Sequence, residues 1–130
     1  MNSFSFSYNK LGRGNLSLQL DGETYREWPC RCGSIDTTGA LVHATPPGTY
    51  KIMERANFTQ LEPMCIGGLG WWCVLFDASN NRTHLGIHPD GGLGGTNGCI
   101  GTQGTDIPLM DYINQYLKEQ GSILVEVSQS

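Results

Sequence analysis

The sequence predicts a mainly β fold with one C-terminal helix, in a single domain spanning residues 1–130. Three observations carry this. Apolar and polar residues alternate with period two in several short segments. Glycine makes up 18 of the 130 residues, which favours many turns over long helices. Only one stretch, from Leu109 to Leu117, repeats its apolar residues at helical spacing. A single core is the expected solution below roughly 150 to 200 residues.

Taken in order, residues 3–8 and 15–20 alternate cleanly and flank the turn-rich run Asn9 to Gly14, so they predict an antiparallel hairpin. Asp21-Gly22 suits a type I′ turn, and Glu23 to Trp28 returns as a third strand. From Pro29 to Thr45 the pattern fades: Cys30-Arg-Cys-Gly-Ser34 is compatible with an extension of that strand, and Asp36 to Ala40 reads as loop. Thr45-Pro-Pro-Gly48 fixes a rigid bend before a strand from Thr49 to Glu54.

Asn57 to Gly70 reads as loop with a helical turn near Phe58 to Leu61. Trp71 to Phe76 is aromatic, β-branched and short, and is expected as a central strand. A polar turn at Asp77 to Arg82 leads to a strand from Thr83 to His88, stopped by Pro89. Thr105-Asp106 is expected to cap the helix, with Pro108 in its first turn and Gly121 as its stop. Its apolar face is Leu109, Tyr112, Ile113, Tyr116 and Leu117. Ile123 to Val127 closes the chain as a strand.

A net charge of −4, with no run of Lys or Arg, gives no footprint for a phosphate backbone, so nucleic acid is not an expected partner. No apolar run approaches the ~20 residues that span a bilayer. The opening Met1 to Tyr8 has neither a charged n-region nor a continuous apolar h-region, so synthesis without a Sec-type signal peptide is expected. Five cysteines is an odd number, so at least one is unpaired in a monomer, and Cys99 is the choice. Cys30, Cys32, Cys65 and Cys73 leave a zinc site or two disulfides open, with reduced and partly buried thiols as the default.

The chemistry concentrates between His84 and Gly101, where His88 and Cys99 are separated by a glycine-rich crossing. A thiol attacks a carbonyl as thiolate, and an imidazole that accepts its proton supplies that form at neutral pH. Gly98 removes a Cβ where substrate backbone must approach, and lets the amides of Gly98 and Cys99 face a developing oxyanion. Thr96 and Asn97 are candidates for orienting the thiol or binding polar substrate groups. His84, four before His88 on the same expected strand, is an auxiliary candidate, with a structural histidine as the alternative. Trp72, with Trp71, is a candidate wall for a glycan or peptide stem, at least one of the two being expected in the core. Arg82, like Arg55, is a candidate carboxylate partner with a solvated surface arginine as the alternative.

Read together, three motifs in order over residues 45–101 carry a resemblance. Thr45-Pro-Pro-Gly-Thr-Tyr-Lys-Ile52, Ile87-His88-Pro89 and Thr96-Asn97-Gly98-Cys99-Ile100 resemble the catalytic segment of the L,D-transpeptidase (YkuD-type) family. That family has a Thr-Pro-x-Gly-x-Phe/Tyr strand entry, an Ile-His-Gly strand end and then Ser-x-Gly-Cys-Ile or Ser-x-Gly-Cys-Val. The resemblance implies a β-sandwich or barrel catalytic domain without metal or organic cofactor. It implies that Cys99 attacks the meso-diaminopimelate to D-alanine bond of a peptidoglycan tetrapeptide stem with His88 as base. The acyl-enzyme then passes to an amine or to water. Three departures stand out: Gly101 where the family usually has arginine, Asn97 where many members have histidine, and a short interval between His88 and Cys99.

The architecture also resembles the compact type VI secreted L,D-transpeptidase effectors, and small phage relatives. This implies action in a rival's periplasm and a small immunity protein as partner. The alternative is a non-catalytic binding or structural module, a phage or secretion component that keeps the fold, for which the missing arginine is the best support. A disulfide-stapled secreted inhibitor is disfavoured by the odd cysteine.

Overall fold

The computed structural model describes residues 1–77, 85–91, 96 and 98–130. The chain starts with β1 (Asn2–Tyr8) and β2 (Arg13–Leu20), paired antiparallel as the alternation predicts. Their turn is held by the Asn9 carboxamide oxygen, which accepts the N–H groups of Leu11 and Arg13. Asp21 and Gly22 both have positive φ, as a type I′ turn requires, and lead into β3 (Glu23–Arg31).

β3 runs three residues past its expected end, through Pro29. The reason is a partner far away in sequence: Thr102 and Gly101 pair with Cys30 and Arg31, and the Pro29 carbonyl accepts the Gln103 N–H. The segment that fades in the sequence holds a small hairpin, β4 (Ser34–Ile35) and β5 (Leu41–Val42), closed by the Asp36 carboxylate on the Thr38 and Ala40 amides. After the Pro-Pro bend comes β6 (Gly48–Ile52).

The expected loop with a helical turn at Phe58 to Leu61 is corrected. Residues Asn57–Thr59 form an edge strand, β7, and the single helical turn, of 3-10 type, comes later at Glu62–Met64, with Pro63 in it. Two short strands follow, β8 (Cys65–Ile66) and β9 (Leu69–Val74). β9 is interior but lies near one end of the sheet rather than at its centre, between β10 (Gly86–Pro89) on one side and β7 with β8 on the other. The chain continues through β11 (Ile100–Thr102), α1 (Ile107–Gln120) and β12 (Ile123–Gln129).

The main sheet runs β6-β12-β1-β2-β3-β11-β10-β9-β7. Most pairs are antiparallel, but β1–β12 and β10–β11 are parallel, which makes it a mixed sheet, curled into a half-barrel. One face carries the core: Phe4, Phe6, Leu16, Leu18, Trp71, Ile87 and Ile100 are fully buried there with Leu109 and Ile113 of α1. Leu109, Met110, Ile113 and Tyr116 form the buried stripe of the helix, while the expected Tyr112 and Leu117 sit half-buried at its rim.

The helix start is a second correction. Asp106 takes the N-cap place in a left-handed conformation (φ 46°), and its side chain makes no capping bond; its backbone carbonyl accepts the Leu109 N–H instead. Gly121 does end the helix, at φ 81°, with its N–H on the Leu117 carbonyl.

Candidate active site

Strand alternation decides which side chains meet. Ile87, Ile100, Trp71 and Cys73 point into the core, so their neighbours Gly86, His88, Gly101 and Trp72 lie on the opposite face. Register then lines these up across the sheet. His88 is opposite Gly101, Gly101 is opposite Arg31, and Trp72 is opposite Asn57. Gly86 against Val74 and Ile87 against Cys73 bring His88 level with Trp72. A transverse row therefore crosses five strands: Arg31, Gly101, His88, Trp72 and Asn57.

Cys99 enters β11 two residues before Gly101, and so shares this face. The two expected reactive residues are thus on adjacent parallel strands, one strand apart and offset by two residues. Cys99 is 8% exposed and opens onto a groove of about 410 Å³ lined by Asn57, Phe58, Thr59, Leu61, Met64 and Trp72. The groove is mostly apolar, as small-molecule sites are.

His88 is 6% exposed, and its ring lies against Trp72 with centroids 5.7 Å apart. Its Nδ1 is 2.6 Å from the Pro89 carbonyl oxygen, which can only accept, so Nδ1 carries the proton and Nε2 is the basic nitrogen. Burial holds the imidazole pKa below its ordinary value, against the opposing pull of the Pro89 carbonyl and the Asp90 carboxylate. A neutral imidazole with Nε2 unprotonated is the state a general base needs.

The segment before Cys99 is pinned from two sides. Thr45, fully buried, donates its hydroxyl to the Gly98 carbonyl at 2.7 Å, and its own carbonyl accepts the Tyr8 hydroxyl. Thr96 donates to the Cys99 carbonyl and accepts the Gly33 N–H, while its N–H reaches the Gly33 carbonyl. Thr96 is therefore a brace for the turn, and its hydroxyl is engaged with backbone rather than turned to the thiol. Gly98 has φ 94°, a left-handed conformation that by itself calls for glycine. Asn97, Arg82 and His84 lie outside the described residues.

Sequence reasoning missed Arg31 and Asp90. The Asp90 carboxylate, 6% exposed, leans over Gly101 and accepts Arg31 Nε at 2.5 Å. A Cβ on Gly101 would stand 2.9 Å from the Asp90 Cβ and 3.1 Å from the Thr96 Cγ2. That crowding explains glycine at this position, and the Arg31 guanidinium reaches the same face from the neighbouring strand. The available signal was the alternation Trp28, Cys30 inward, which turns Arg31 outward, but nothing local links it to residue 90.

None of the five cysteines forms a disulfide. Burial pushes the Cys73 thiol up to about 12 and raises those of Cys30 and Cys32 as well, which makes these three poor nucleophiles. Among the described residues no group of three or more His, Cys, Asp or Glu side chains could hold a metal ion, and no helix is long and apolar enough to cross a membrane.

A thiol and a neutral imidazole sharing one face of a curled, mixed sheet define the class: a cysteine and histidine site on a β scaffold. The family model of the L,D-transpeptidase catalytic domain (YkuD) matches residues 11–110, and the chain belongs to that family. It is thereby an L,D-transpeptidase-type enzyme of peptidoglycan. No curated protein matches the chain.

Proposed function

We propose that the protein cleaves the bond between meso-diaminopimelate and D-alanine in tetrapeptide stems through a thioester on Cys99. The observation that supports this most is the His88 ring, whose Nδ1 is committed to the Pro89 carbonyl while Nε2 remains basic on the face that Cys99 shares. His88 Nε2 takes the thiol proton as sulfur attacks the carbonyl carbon. The oxyanion is received by the amides of Gly98 and Cys99. On collapse the C–N bond breaks, and the leaving amine of D-alanine takes the proton back from His88. Water or a second amine then attacks the thioester, regenerating the thiol and giving a tripeptide or an exchanged stem. The apolar groove beside Cys99 accommodates the stem next to the scissile bond.

Tetrapeptide muropeptides incubated with the protein should lose D-alanine or exchange it for an added D-amino acid, read by mass spectrometry. Cys99→Ala and His88→Ala should abolish this. Stems left intact by folded wild-type protein would refute the reading.

The substrate lies outside the cytoplasmic membrane, which supports a periplasmic site of action. The resemblance to secreted effectors extends the proposal to an antibacterial role, checked in the producing cell by a small immunity protein. Export to the periplasm of a Gram-negative host should then halt growth in a Cys99-dependent way, and cytosolic production should not. Equal growth in both cases would remove the effector reading and leave the enzymatic one.

A further inference from the structure

Arg31 occupies a position on the site that the proposed mechanism does not use. β11, which Cys99 enters, has β10 on one side and β3 on the other. His88 and Arg31 are both register partners of Gly101, so they flank the nucleophile's strand at the same level from opposite sides. With strands about 4.8 Å apart and about 3.3 Å of rise per residue, the Arg31 Cα stands about 8 Å from that of Cys99. This is within the reach of an extended arginine and one substrate residue.

The guanidinium is fixed rather than free. Asp90, almost wholly buried, accepts from Nε, and a guanidinium has five N–H donors, so among the described residues the Nη groups are the donors left to a ligand. The Arg31 side chain is 23% exposed and lines a groove of about 390 Å³ with Cys65, Ile66, Gly67, Asp90, Gly91 and Gln103. Among these described lining residues Arg31 is the cation. Gly101, lacking a side chain, leaves the room in which Asp90 crosses that face to reach the guanidinium.

We infer that Arg31 is the specificity-determining residue of this site, binding a carboxylate of the stem peptide through its Nη groups while Asp90 holds the guanidinium plane in place. The inference rests on the peptidoglycan reading. Two carboxylates of the stem lie close enough to the scissile bond: that of the terminal D-alanine and that of the distal carbon of diaminopimelate. Both have the same chemistry, a planar anion that matches a guanidinium edge.

The test uses three synthetic tetrapeptide stems: unmodified, amidated at the D-alanine terminus, and amidated at the distal diaminopimelate carboxylate. Wild type should show a KM raised at least about tenfold on one amidated stem, the size expected for one charge-assisted pair, and that stem identifies the carboxylate. Arg31→Ala should raise KM similarly on the unmodified stem, with kcat changed much less, and should add nothing on the sensitive amidated one. Arg31→Lys should recover part of the loss. Arg31→Ala takes the guanidinium away from the nearly buried Asp90 carboxylate, so Arg31→Ala/Asp90→Asn is the companion that removes the charge left behind. Equal losses on all three stems, or a fall in kcat alone, would assign Arg31 a merely structural role and overturn the inference. Binding of the three stems to Cys99→Ala protein, by calorimetry, separates the two proposals. Discrimination in binding without turnover by wild type overturns the mechanism and keeps Arg31, whereas turnover without discrimination does the reverse.

Discussion

Trp72 lays its ring against the His88 imidazole at 5.7 Å between centroids and 34° between planes, while it also lines the groove onto which Cys99 opens. One side chain thus covers the proposed base and walls the space before the proposed nucleophile. Because burial is the main cause of the lowered His88 pKa, Trp72→Ala should hydrate the ring and let that pKa rise toward its ordinary value. The acid limb of kcat/KM then moves to higher pH, and kcat falls roughly tenfold as the ring loses its support. A pH–rate profile checks both, and Trp72→Phe should retain most of the wild-type behaviour.

Asp90 pulls the His88 pKa the other way, since its carboxylate favours imidazolium. Asp90→Asn should therefore lower it further, visible in an NMR titration of the ring protons. The sign for stability follows from the same shift. With the folded pKa below the unfolded value of about 6.5, the unfolded chain binds the proton first, so His88 costs nothing above that pH. It destabilises the fold progressively as pH falls from there through the folded value. Denaturant melts from pH 7.5 to 5 should show a smaller decline for His88→Phe.

The Thr45 hydroxyl, bonded to the Gly98 carbonyl, ties the Pro-Pro bend to the turn before Cys99. Thr45→Val keeps the shape and leaves that buried carbonyl without its donor, which should cost about 1–3 kcal/mol. Chemical denaturation measures the loss, and kcat should fall with it because the same bond positions the nucleophile's turn.

Gly101→Ala should be damaging, because its Cβ meets the Asp90 and Thr96 side chains. Gly101→Ala should lower the melting temperature and part Asp90 from Arg31, seen as a rise in KM on unmodified stems.

Thiol alkylation should single out Cys99. Cys30, Cys32 and Cys73 are buried with raised pKa values, and the half-buried Cys65 donates to the Thr59 carbonyl without a nearby imidazole among its hydrogen-bond partners. Cys99 should label first despite its low exposure, and His88→Ala should slow that labelling. A peptide map after brief iodoacetamide treatment at pH 7 reads the order.

What the sequence displays and what it hides divide along the distance between partners. The first three strands are legible because alternation and the Asp21-Gly22 turn are local features, and Gly121 marks the helix end for the same reason. Cys99 and His88 stand out as the proposed nucleophile and base through their flanking motifs. Arg31 and Asp90 are not: their elements are joined by pairing between residues 31 and 101, seventy positions apart, and in sequence Arg31 is only the middle of Cys-Arg-Cys. The short strand β7 also escapes, because Phe58 is exposed and its apolar character suggests burial that does not occur. Asp106 reads as a capping residue by type, but its left-handed backbone turns the side chain to no capping bond.

The most direct test of the central claim is intact-protein mass spectrometry of the wild-type enzyme mixed rapidly with a tetrapeptide muropeptide and quenched in acid. A thioester on Cys99, with the added mass of the stem minus D-alanine and absent in Cys99→Ala, is the predicted result. Turnover of the stem with no adduct at any quench time, and undiminished by Cys99→Ala, would contradict it.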